Sequence, residues 1–193
     1  MNQPLRGPTS PVVLVGLMGS GKSTVGRILA ERWGLPFVDL DVEIEKISGL
    51  SIAEIFEREG ESGFRAREAE ATRAITASGP MVIAAGGGWM ASSENRNAWP
   101  DAIHVWLSVS PREAARRLAM HELQRPMLAN ELPEKVLRDL LDRRLPAYRL
   151  STYTVDTSNR TAARVADRVV ALMEQDDARC IDGRSDPKLS TES

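Results

Sequence analysis

Short apolar runs alternate with helical patterns along most of this chain. Residues 12–15 are unbroken apolar positions and predict a buried strand. Residues 22–33 follow with Val25, Ile28, Leu29 and Trp33 at helical spacing on one face. A second strand is predicted over 37–40, and helices over 42–48, 51–59 and 61–78. Residues 81–84 and 102–107 read as further strands, and Pro111 opens a helix at its first turn, a position proline favours. Residues 120–131 carry no clear period and read as a mobile loop. A helix over 133–147, a strand over 153–155 and a helix over 161–174 complete the pattern. Such alternation predicts an α/β domain whose parallel sheet is covered on both faces.

Length and composition narrow this picture. The 193 residues suit one domain, here residues 11–175, with 1–10 and 176–193 expected as flexible termini because they hold few core-formers. Net charge is −2, from 25 Lys and Arg against 27 Asp and Glu, which argues against a protein built mainly to grip nucleic acid. The single cysteine, Cys180, excludes a disulfide framework within the chain and makes a cysteine metal site implausible. No apolar run approaches the ~18 residues of a membrane span, and residues 1–10 lack the apolar stretch of a secretory signal. The expected location is the cytoplasm, without a membrane partner.

The most specific chemistry lies between the first strand and the first helix. Residues 16–23, GLMGSGKS, match G-x-x-x-x-G-K-[ST] in the strand-to-helix context the motif requires. Glycines let main-chain N–H groups curl around phosphate oxygens, and the helix N-terminus adds partial positive charge. Lys22 is expected to reach the β- and γ-phosphates of a nucleoside triphosphate, and the Ser23 hydroxyl to bind Mg²⁺. Gly19, Ser20, Gly21 and Thr24 complete the expected phosphate site. No N-K-x-D guanine motif occurs, which argues against a GTPase. A compact domain with a loop near residue 125 suggests a small-molecule kinase instead.

Acceptor candidates are individually weaker. Asp39 and Asp41 are read as lying at the end of the second strand, both pointing to one side, where a parallel sheet opens its ligand crevice. One suits a magnesium-bound water and the other an acceptor hydroxyl; a helix cap at Asp41 is the alternative. Gly86, Gly87 and Gly88 allow close backbone approach to a ligand or form an ordinary loop. Arg65 and Glu68, spaced i and i+3, make either an exposed ion pair or a clamp for a carboxylate. Arg125 is either a phosphate-closing lid residue or a surface arginine, and Arg144 near a helix end either binds a ligand or serves the helix dipole. His104 and His121 have no partner spacing, and Trp33, Trp99 and Trp106 are expected to pack in or beside the core.

Together these stretches resemble shikimate kinases. The resemblance covers about residues 12–174 and rests on GLMGSGKST (16–24), FVDLD (37–41), SIAEIFEREGESGFRAREAE (51–70), AAGGG (84–88), QRPML (124–128), RRLPAYR (143–149) and VDTSNR (155–160). It implies a three-layer P-loop fold like that of nucleoside monophosphate kinases, with a five-stranded parallel sheet in the order 2-3-1-4-5. It implies ATP- and Mg²⁺-dependent phosphorylation of the shikimate 3-hydroxyl, in chorismate and aromatic amino-acid biosynthesis, by a monomeric enzyme. Asp41, Lys22 and Arg125 would be catalytic. Asp41, Arg65, Glu68, Gly86, Gly87, Gly88 and Arg144 would bind shikimate. Arg117 and Arg160 would flank the adenine, and Arg125 would face the ATP phosphates. Ser23 would bind the metal directly and Asp39 through water. One departure stands out: Trp89 follows the glycines where a small residue is expected, and would either reshape the pocket edge or pack away from it.

Overall fold

A computed structural model describes residues 7–75, 79–120 and 133–181. Its strands are β1 (Val12–Val15), β2 (Phe37–Asp39), β3 (Val82–Ala84), β4 (Ile103–Ser108) and β5 (Tyr153–Asp156). Its helices are α1 (Lys22–Trp33), α2 (Leu40–Ser48), α3 (Ile52–Ala74), α4 (Ser93–Ala98), α5 (Pro111–Met120), α6 (Pro133–Tyr148) and α7 (Ala162–Ile181). The five strands form one parallel sheet in the order β2-β3-β1-β4-β5, as the resemblance implied.

The central strand explains the two-sided core. All four β1 residues are buried. Because side chains alternate across a strand, Val12 and Leu14 meet α1 and α7 on one face, through Val25, Leu29, Val165 and Val169. Val13 and Val15 meet the other face, with Leu40, Ile44, Ile55 and Phe64. A smaller apolar cluster of Leu17, Val109, Ala114, Leu118, Leu137 and Leu140 joins the phosphate-loop region to α5 and α6.

Four details differ from the sequence reading. The helices expected over 51–59 and 61–78 are one element, α3, broken at Gly60, which has non-helical φ 68° and ψ −169°. A capping box fixes its start: Ser51 Oγ accepts from Glu54 N–H at 3.2 Å, and Glu54 Oε2 accepts from Ser51 N–H at 2.9 Å, a device worth about 1 kcal/mol. Second, β2 ends at Asp39 and α2 begins at Leu40, so Asp41 is helical and not a strand residue. Third, a 3₁₀ turn (Trp89–Ala91) and α4 fill the stretch between β3 and β4, where no element was predicted. Ser92 caps α4 by accepting from Asn95 N–H. Fourth, α7 runs past residue 174 to Ile181, and the Tyr153 hydroxyl donates to Asp176 Oδ2 at 2.6 Å, tying this end to β5.

Candidate active site

A cleft of ≈ 770 Å³ opens beside the C-terminal ends of the strands. The phosphate loop forms its floor. Gly19 and Gly21 have φ of 79° and 91°, a left-handed conformation that residues with a Cβ adopt only under strain. These turns aim the start of α1 into the cleft. Lys22 Nζ donates to the Gly16 and Leu17 carbonyls at 3.0 and 3.1 Å, which folds its side chain back over the loop. Ser20 Oγ is buried with no hydrogen-bond partner among the described residues, a polar group suited to a phosphate oxygen.

Beside the loop, Ser23 Oγ donates to Asp39 Oδ2 at 2.6 Å. This is a hard-oxygen pair of the kind Mg²⁺ prefers. No cluster of three or more metal-ligating side chains occurs among the described residues.

One end of the cleft is an arginine cluster. Arg117 donates to Thr157 O at 2.6 Å, to Thr157 Oγ1 at 3.2 Å and to Gly19 O at 3.2 Å, so it spans the phosphate loop and the segment after β5. Glu113 holds it from below, accepting from Arg117 Nε at 2.9 Å and from Arg116 at 2.7 and 2.8 Å. Hydrogen bonds from Arg116, then from Arg117, pull the Glu113 carboxyl down to about 2. Arg160 lines the same end.

The opposite end is built from buried charge. Arg65 reaches the cleft from α3, and its Nη1 donates to Glu68 Oε2 at 2.8 Å. Glu68 is 0% exposed, which rejects the exposed-pair reading. Burial pushes its carboxyl up, while Arg65 pulls it down, Asp41 raises it and Arg144 lowers it by smaller amounts. Arg144 is buried at 9% exposure yet still lines the cleft. Behind it the Tyr148 hydroxyl donates to Gly87 O at 2.6 Å.

The three glycines after β3 explain how these groups fit. A Cβ at Gly86 would lie 2.6 Å from Glu68 Oε1 and 3.5 Å from Asp41 Oδ1. At Gly87 it would lie 2.6 Å from Arg144 Nη1, and at Gly88 it would run into the Arg65 guanidinium. Each glycine therefore makes room for one charged side chain. None of the three has a left-handed φ, so space is the reason for glycine here.

The cleft brings together Gly19, Ser20, Gly21, Lys22, Ser23, Thr24, Asp39, Asp41, Arg65, Gly86, Gly87, Gly88, Arg117, Arg144 and Arg160. Asp41 reaches it from the first turn of α2, so strand alternation does not explain its position; the chain turns helical two residues earlier than expected and still delivers both carboxylates. It does not occupy the cap position: the residue before α2 is Asp39, which makes no side-chain cap bond. Glu68 stands behind the wall and does not line the cleft. Arg125 lies outside the described residues. Glu113 and Tyr148 were missed. Glu113 had a readable signal in its i+3 and i+4 spacing to Arg116 and Arg117. Tyr148 had none beyond its place in RRLPAYR.

Residues 18–174 match the family model described as shikimate kinase. A shikimate kinase of Parasynechococcus marenigrum (strain WH8102) is 44% identical over 160 residues, covering 83% of this chain and 84% of that protein. The solved structure of the shikimate kinase from Acinetobacter baumannii in complex with shikimate superposes with a TM-score of 0.81 at 40% identity, covering 86% of this chain and 94% of the other. A gluconokinase from Sinorhizobium meliloti 1021 shares the fold with a TM-score of 0.57 at 20% identity, covering 90% of this chain and 94% of the other.

Proposed function

This chain belongs to the shikimate kinase family, and we propose that it transfers the γ-phosphate of ATP to the 3-hydroxyl of shikimate, giving shikimate 3-phosphate. The carrying observation is that one cleft is lined both by a phosphate loop and by Asp41, Arg65 and Arg144.

The roles follow from chemistry. The N–H groups of residues 19–24 and Lys22 bind the triphosphate, with Arg117 and Arg160 at its adenine end. Ser23 would hold Mg²⁺ directly and Asp39 through water; the ion would neutralise charge on the phosphate oxygens. Arg65 and Arg144 grip the shikimate carboxylate, because a guanidinium fork matches a carboxylate in two parallel bonds. Glu68 keeps Arg65 in place from behind. Residues 86–88 form the surface against which the ring lies. Asp41 accepts a hydrogen bond from the acceptor hydroxyl, aims it at the γ-phosphorus and takes its proton late. A loose transition state makes this positioning matter more than base strength. Arg125, by the family resemblance, would face the ATP phosphates.

No helix among the described residues is long and apolar enough to cross a membrane. Cytoplasmic residence and a monomeric state complete the proposal.

ADP release from ATP with shikimate, quinate, gluconate or no acceptor tests it. Turnover with shikimate well above the others is expected. Preference for another acceptor overturns the pocket assignment, and background release with all of them overturns the proposed reaction.

A further inference from the structure

Trp89 directly follows the glycine wall, yet it lines no part of the cleft. It is 0% exposed and packs into the core below. Its ring stacks on Trp99 at 5.4 Å between centroids and lies 5.7 Å from the His104 ring. Its main-chain N–H donates to Gly86 O at 3.1 Å, closing a turn over the three glycines. Its indole Nε1–H donates to Thr72 Oγ1 at 3.0 Å. The Thr72 hydroxyl then donates to the main-chain carbonyl of Glu68 at 2.7 Å. Thr72 is itself fully buried, so this hydroxyl gives its one proton and accepts one, and each bond fixes the other.

The chain of bonds joins two parts of the acceptor end that are not contiguous in sequence. One is the glycine wall after β3. The other is the turn of α3 that carries Glu68 and, through it, Arg65. The gap between them is tight, since the Arg65 guanidinium packs where a Gly88 side chain would stand. A small shift of the wall relative to α3 would therefore move the guanidinium or close its space.

We propose that Trp89 is a positioning residue for the acceptor carboxylate: its indole N–H, through Thr72, sets the height of the glycine wall against α3 and so fixes Arg65. This rests on the proposed acceptor, and it accounts for a large residue at a position where a small one was expected.

The test uses the full chain with Trp89→Phe, which keeps a stacking ring and removes the N–H, and Thr72→Val, which keeps shape and removes the hydroxyl. Each is expected to raise the KM for shikimate about 10-fold, the scale of one lost buried hydrogen bond, and to leave the KM for ATP within about 2-fold. The double variant is expected to match the singles, because both break one chain of bonds. Thr72→Ser, which restores the hydroxyl, is expected to return the KM towards wild type. Should Trp89→Phe fail to fold, Thr72→Val against Thr72→Ser gives the same split. An unchanged shikimate KM, equal changes for both substrates, or additive single effects would overturn the role. Wild-type protein inactive on shikimate would instead overturn the acceptor itself.

Discussion

The two ends of the cleft are made of different material. The phosphate site is largely main chain from one contiguous stretch: residues 16–24 wrap it, and Lys22 bonds carbonyls only five and six residues away. The acceptor end is largely side chain, drawn from α2, α3, the loop after β3 and α6, and spanning Asp41 to Arg144. The first needs glycines for conformation, at Gly19 and Gly21. The second sets a buried Glu68 and a buried Arg144 beside a part-exposed Arg65, and removing one partner leaves a costly uncompensated charge on a buried group. Substitutions at one end should therefore act on one substrate.

The harshest test is Asp41→Asn, which keeps shape and removes the charge that orients the hydroxyl. We expect kcat to fall about 10³-fold while the Kd for ATP stays unchanged. Near-normal turnover would remove Asp41 from the chemistry. Next comes Arg65→Lys. A point charge cannot form the bidentate contact, and Glu68 loses the fork it holds, so the shikimate KM should rise about 30-fold with little effect on ATP. Equal effects on both substrates would erase the contrast between the two ends. Glu113→Gln sharpens the other side: it loosens Arg116 and Arg117, and should raise the KM for ATP about 3-fold while sparing shikimate.

The smallest effect concerns pH and stability. Burial, then the nearby charge of Arg96, lowers the His104 pKa below its ordinary 6.5. Its proton binds more readily in the unfolded chain. Its contribution to stability is therefore full above pH 6.5 and is lost as pH falls through that value toward the lower folded-state value. Thermal melts of wild type and His104→Gln between pH 8 and 5 should show a steeper acid-side decline in wild type. Parallel curves would rule out this source.

The same contrast decides what could be read from sequence. The phosphate loop is legible because its residues are adjacent and its glycines answer a local need, φ near 80–90° at Gly19 and Gly21. The sheet order followed from the family resemblance, and strand alternation then explains why β1 faces two cores. At the acceptor end, i,i+3 spacing left Arg65 and Glu68 open between a surface pair and a buried clamp, because burial is set by how α3 packs on α2 and against the glycines after β3, which spacing within α3 does not report. Asp41 was singled out on a strand pattern that ends at Asp39; it lines the cleft, but from a helix. Trp89 could point either way until the fold supplied Thr72 and Trp99 as partners. Tyr148 gained meaning only when α6 met the glycine wall.

The central claim is that the acceptor end reads a carboxylate through two arginines. Comparing kcat/KM for shikimate and its methyl ester tests this directly, because the ester keeps the ring and hydroxyls and removes the charge. The account predicts a loss of about 100-fold or more for the ester in wild type, shrinking to a few-fold in Arg65→Lys. Equal use of acid and ester by the wild-type protein would contradict it.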